Sequence, residues 1–133
     1  MTAPEFFVTP GNGDRNRELF HYSQAVKIGD RTDIAGQGGW NDDWQFPEKL
    51  SDEIDQAFLN INRTLATAGA SWDHVVIVRS YHVDIDSATV ETMADRLRRY
   101  LPDQPPVWTN IGVAALGDEN MRVEIEVTAV LPD

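Results

Sequence analysis

The chain has 133 residues, 22 of them acidic and 11 basic, for a formal net charge of −11, and it contains no cysteine. That length fits one domain over residues 1–133 with a core of its own, and the missing thiols exclude disulfides, thiolate metal centres and a cysteine nucleophile. The acid is spread along the chain, and the densest basic group, Arg96, Arg98 and Arg99, reads as a solvated helix face, so no nucleic-acid partner is expected.

In chain order, residues 1–7 lack the basic start and apolar run of a secretory signal. The longest aliphatic run, Val75, Val76, Ile77 and Val78, is too short to span a bilayer, which points to a soluble, cytoplasmic protein with no membrane partner. Residues 11–17 are polar and glycine-containing and read as a loop. Residues 24–28, the pair Gly29 and Asp30, and residues 31–35 read as strand, tight turn, strand. Gly36, Gln37, Gly38 and Gly39 follow, but no lysine-serine or lysine-threonine pair comes after them, so a turn or bulge is favoured over a phosphate cradle.

Pro47 suits a first helical turn, and Leu50, Ile54, Ala57, Phe58, Ile61, Leu65 and Ala68 recur at threes and fours until Gly69 stops the helix. Residues 72–83, rich in valine, predict a central strand. A second helix begins at the caps in residues 84–87, carries Val90, Met93, Ala94, Leu97 and Leu101 on one stripe, and ends at Pro102, Pro105 and Pro106. Residues 107–131 read as a closing hairpin around Leu116, Gly117, Asp118, Glu119 and Asn120. Val107, Ile111, Val113, Val123, Ile125 and Val127 fall on its dry face, and Trp108, Asn110, Arg122, Glu124 and Glu126 on its wet one. Two helices with one apolar face each lie together on one side of a sheet, which predicts an α+β two-layer sandwich with a mixed sheet of five to six strands. The bare face is then either solvated or used for self-association.

Tyr22 to Gly29, then Ile34-Ala35-Gly36-Gln37, Leu65-Ala66-Thr67-Ala68-Gly69-Ala70, Asp73-His74-Val75-Val76 and Val123-Glu124-Ile125-Glu126 together resemble the RidA/YjgF family, in its order and at its spacings. The resemblance implies a chorismate mutase-like fold, a homotrimer joined through the bare sheet faces, and small-molecule pockets at the subunit interfaces. It implies hydrolysis of reactive imines or enamines without a cofactor or metal. It places Glu124 as the catalytic carboxylate and Tyr22, Ala35, Gly36, Gln37, Glu91, Trp108, Thr109 and Asn110 around the ligand. Several of these positions depart from the family pattern. Trp108 stands where deaminating members carry a carboxylate-gripping arginine, Ala35 replaces a serine, Asn110 a cysteine and Glu91 an asparagine. Standard 2-imino acids are therefore not the expected best substrates, and an aromatic, neutral or cationic ligand suits an indole better.

Glu124 suits proton transfer to and from a water attacking a C=N carbon if burial raises its pKa. The bland alternative is an interface carboxylate paired with Arg122 or with another subunit. Arg79 and Arg122 are candidate replacements for the missing anchor, although strand arginines more often pair with nearby acids. His21, His74 and His82 lack metal spacing and read as surface or interface residues, and Ser23, His82 and Asp84 lack the setting of a nucleophilic triad. Trp40 and Trp44 either cover a pocket or pack their loop. Three function classes follow: a hydrolase or deaminase of a small metabolite, a non-catalytic ligand-binding trimer, and a ribonuclease or translation inhibitor, which the acidic balance disfavours.

Overall fold

The structure, a computed structural model, describes residues 3–132. Met1 and Thr2, part of the stretch read for a secretory signal, lie outside the described residues, as does Asp133. Strand β1 (Glu5–Phe7) leads to helix α1 (Asn12–Phe20), then β2 (Ala25–Ile28), β3 (Arg31–Ile34) and helix α2 (Leu50–Thr67). A short 3-10 turn, Trp72–His74, precedes β4 (Val75–Val83), helix α3 (Ser87–Tyr100), β5 (Val107–Val113) and β6 (Val123–Val130). The six strands form one mixed sheet in the order β1-β2-β3-β6-β4-β5, antiparallel throughout except for the parallel pair β4 and β5. The α+β sandwich expected from the sequence is present. Among the described residues no helix is long and apolar enough to cross a membrane.

The predicted apolar stripes make the core. Ile54, Ala57, Phe58, Ile61 and Leu65 of α2 and Met93 and Leu97 of α3 are buried against Val78 of β4 and Val123, Ile125, Val127 and Ala129 of β6. Side chains of this kind stabilise by about 1.5 to 3 kcal/mol each on full burial. Asp86 caps α3 by accepting from the Thr89 amide at 2.8 Å, and Gly69 leaves α2 at φ +78. The hairpin of β2 and β3 turns at Gly29 (φ +62), as its sequence predicts.

Two expectations are corrected. Of residues 11–17, read as a loop, Gly11 is the N-cap and the rest belong to helix α1. It buries Asn12, Gly13 and Asn16 in place of an aliphatic stripe, which is why apolar periodicity does not reveal it. Polar bonds hold it: the Asn12 backbone amide and side-chain Nδ2 both donate to Asp42 Oδ1, and Gln24 Nε2 donates to the Gly13 carbonyl.

Residues 107–131 do not form a hairpin. β4 lies between β5 and β6, because β4, α3 and β5 make a parallel crossover in which the helix covers the sheet. Pairing with β4 also reverses the faces expected for β5. Trp108 and Asn110 stand beside Val78 and Ser80 on the helix side, while Val107 (66% exposed) and Ile111 (44%) are on the open side.

Candidate functional site

The open face of the sheet carries the even-numbered residues of β6 and the odd-numbered residues of β4, set side by side as Glu126 with Arg79 and Glu124 with Tyr81. Arg79 Nε donates to Glu126 Oε1 at 2.9 Å, and the Tyr81 hydroxyl donates to the same oxygen. Further along, Thr128 Oγ1 donates to Asp33, whose other oxygen accepts from Arg31 Nε at 2.8 Å. Arg79 is thus engaged by an acid on the next strand, as strand arginines usually are. Arg122 turns off the open face to Glu53 of α2, with Nε to Oε1 at 2.7 Å, and also donates to the carbonyls of Pro47 and Glu48. It pairs with Glu53 and not with Glu124, and neither arginine is left to anchor a ligand at Glu124.

Glu124 itself is different. Among the described residues its carboxyl has no hydrogen-bond or ion-pair partner, although it is only partly exposed. Burial pushes its pKa up, and the negative charge of Glu126 pushes it further in the same direction. The group lies against Gly36, where an added Cβ would collide with Glu124 Oε1, Cδ and Cγ. The colliding atoms include Cγ and Cδ as well as Oε1, so the Glu124 side chain must turn from its root, and Gly36→Ala is expected to displace the carboxyl and to lower the melting temperature measured by thermal unfolding.

Glu124 and Gly36 line a cavity of about 280 Å³ together with Tyr22, Arg15, Asn16 and Phe20 of the α1 region, Trp40, Trp44, Gly117, Asp118 and Met121. A second hollow of about 480 Å³ opens on the other side of Tyr22 and includes Ala35, Ser23 and Arg17. Burial raises the Tyr22 hydroxyl pKa, against the influence of Asn16, Gln24 and Arg15 and with that of Glu124. Tyr22 therefore stays a neutral donor. Trp40 is 3% exposed and stacks on Trp44 at 4.6 Å between centroids, while Trp44 Nε1 donates to Asp118 Oδ2 at 2.8 Å. Trp40 packs the loop beneath Trp44, and both rings form part of the cavity wall.

The residues expected around the ligand divide. Tyr22, Gly36 and Glu124 meet in the cavity, with Ala35 in the hollow alongside. Gln37 is buried, its amide donating to the Ala35 carbonyl and its backbone bridging to Ile125. Trp108 packs toward Leu97, Leu101 and Pro105 and donates through Nε1 to Ser80 Oγ at 3.0 Å, so its indole is not in the Glu124 cavity. Thr109 and Asn110 are exposed on the edge strand, and Glu91 is exposed on α3.

His82 is buried and bonded to Ser80 rather than lying at a surface, and burial lowers its pKa. Exposed Asp84 and half-buried Ser23 do not join it, and among the described residues no cluster suited to a metal occurs. The sequence reading missed Arg15, Asn16 and Asp118. The first two lie on the unrecognised helix, and Asp118 is in a segment read only as a turn.

Residues 14–131 match the family model described as Endoribonuclease L-PSP. The chain belongs to that family. This is the RidA/YjgF family suggested by the sequence motifs. Similar relatives in it include the RutC family protein YjgH of Escherichia coli, 30% identical over 112 residues, covering 84% of each chain. The 2-iminobutanoate/2-iminopropanoate deaminase of Dermatophagoides farinae is also 30% identical over 112 residues, with 83% of this chain and 85% of the relative covered. Among solved structures, protein YjgH superposes with a TM-score of 0.84 at 28% identity over 99% of both chains. RidA from Psychrobacter sp. PAMC 21119 gives 0.76 at 28% identity over 85% of this chain and 90% of that one. The architecture of the L-PSP family thus frames the Glu124 cavity.

Proposed function

We propose that the protein hydrolyses the C=N bond of a small imine, or of an enamine after its conversion to the imine, at the Glu124 cavity. The observation that carries this reading is the unpartnered Glu124 carboxyl, raised in pKa by burial, on the floor of a cavity sized for a small metabolite. The named activity of the mite relative supports the same reaction class.

In this mechanism the Glu124 carboxylate takes a proton from a water as its oxygen bonds to the imine carbon, and passes that proton to the nitrogen that receives the C=N electrons. In the resulting carbinolamine Glu124 takes the hydroxyl proton and hands it to the nitrogen as the C–N bond breaks, leaving a carbonyl and ammonia. The Tyr22 hydroxyl is placed to donate to the polar end of the ligand, and Trp40, Trp44 and Met121 supply a wall that limits bulk water.

Association of three chains through the open sheet face belongs to the same proposal. Strand register puts Phe6, Ile28, Val107, Ile111 and Val130, all exposed, on that face around the Arg79 and Glu126 pair. The test is ammonia and ketoacid release from imines generated in situ by an amino-acid oxidase, with the mass in solution measured by light scattering. Release well above the buffer rate and a mass three times that of the chain are expected. Ligand binding without release would replace the hydrolase by a non-catalytic binding protein.

A further inference from the structure

The cavity contains one cation that its own protein does not neutralise by contact. Arg15, on α1, holds its guanidinium 4.3 Å from the centroid of the Trp44 ring, and Nη1 donates to Asn16 Oδ1 at 2.9 Å. Among the described residues no carboxylate lies within ion-pair distance of it, and its remaining N–H groups have no protein acceptor. Asp118, on the same wall, makes its hydrogen bonds elsewhere: its carboxylate accepts from the Asn120 amide and from Trp44 Nε1, and those bonds hold its pKa down, with a smaller contribution at a distance from the charge of Arg15. A guanidinium stacked on a ring uses its face for the ring and keeps its edge for hydrogen bonds, so stacking does not consume the fork that recognises planar anions.

The platform beneath Arg15 is fixed before any ligand arrives. Trp44 occupies a left-handed backbone position (φ 59) in a turn closed by Asn41, whose Oδ1 accepts from the amides of Asp43 and Gln45. Its ring is stacked on buried Trp40 and tethered to Asp118. The helix carrying Arg15 is pinned to the same loop through Asn12 and Asp42. An arginine held this way loses little further freedom on gripping a ligand.

We propose that Arg15 is the anchor for a carboxylate on the ligand of the Glu124 cavity, so that a helix supplies in this chain the cation that β5, with Trp108, does not. The inference deepens the hydrolase reading and rests on it for the site: the ligand is a small 2-imino or 2-oxo carboxylate, its anionic end at Arg15 and its C=N or C=O carbon toward Glu124. Position 108 then imposes no preference for a neutral or cationic ligand, because its indole belongs to the α3 groove.

The experiment is equilibrium binding, followed by calorimetry, of 2-oxobutanoate and of its neutral primary amide to the wild-type chain, Arg15→Gln and Arg15→Lys. The wild type is expected to prefer the acid by about tenfold or more, the scale of a charge-assisted bond. Arg15→Gln is expected to bind the two alike, and Arg15→Lys to fall between, since it keeps the charge and loses the fork. A variant that is only damaged weakens both ligands together and keeps their ratio. An unchanged ratio in Arg15→Gln, or a wild type that does not prefer the acid, overturns the proposal. Because neither ligand is hydrolysed as an imine, an Arg15-dependent preference in a protein that releases no ammonia would leave the anchor standing while the hydrolase reading failed.

Discussion

Glu124→Gln is expected to reduce imine hydrolysis by about a hundredfold to ten-thousandfold, the range that a positioned proton-transfer group supplies. Glutamine keeps the shape of the side chain, so the loss reports on the proton and not on the cavity. Because burial and then Glu126 raise the carboxyl pKa, and because attack by water needs the ionised form, the rising limb of the wild-type rate against pH is expected above the ordinary carboxylate range. In Glu124→Gln that limb should vanish with the activity.

Stability carries the opposite sign. A carboxyl whose folded pKa is raised binds its proton more tightly in the folded chain, so its stabilising contribution is complete below the unfolded pKa and is lost as pH rises through the folded value. Glu124→Gln, neutral throughout, is therefore expected to escape that loss and to melt no lower than the wild type near neutrality. Full hydrolytic activity in this variant would remove Glu124 from the chemistry.

Glu53→Ala is expected to cost about 3 kcal/mol of stability, the largest single effect foreseen outside the cavity. Glu53 is 0% exposed in the first turns of α2, and its oxygens accept from Arg122 Nε at 2.7 Å, the Arg122 amide at 2.7 Å and the Val123 amide at 3.3 Å. Alanine strands two backbone donors at the entrance to β6 together with a guanidinium. The Arg122 side chain is 39% exposed and recovers some hydration, which keeps the cost from the top of the range. For a chain of this size the loss corresponds to a melting temperature lower by roughly 10 °C. Urea unfolding measures it directly, and a change below about 1 kcal/mol would show that the β6 entrance does not depend on this carboxylate. The same residue matters to the cavity, because Glu124 follows Val123 on that strand. Glu53→Gln, which keeps an acceptor, should fall between wild type and Glu53→Ala.

The sequence by itself determined the elements whose burial is written as a strong period: α2 and α3 from apolar residues at threes and fours, β6 from strict alternation, and the hairpin at Gly29 from its turn chemistry. The motifs shared with the L-PSP family also brought Tyr22, Gly36 and Glu124 together; only Glu124 lies on a regular element, β6, while Tyr22 and Gly36 stand in loops next to β2 and β3.

Three things were decided only in the tertiary structure. β5 carries apolar residues on both faces, so its alternation does not say which side is buried; pairing with β4 does, and it places Trp108 under α3. Helix α1 buries asparagine and glycine through side-chain bonds to Asp42 and Gln24, partners distant in sequence that local patterning does not encode. Arg15 becomes a cavity cation only because that helix sets it over Trp44, 29 residues along the chain by their numbers. Periodicity records how an element meets the core; which strand lies beside it, and what its polar side chains touch, is settled by packing between segments far apart in sequence.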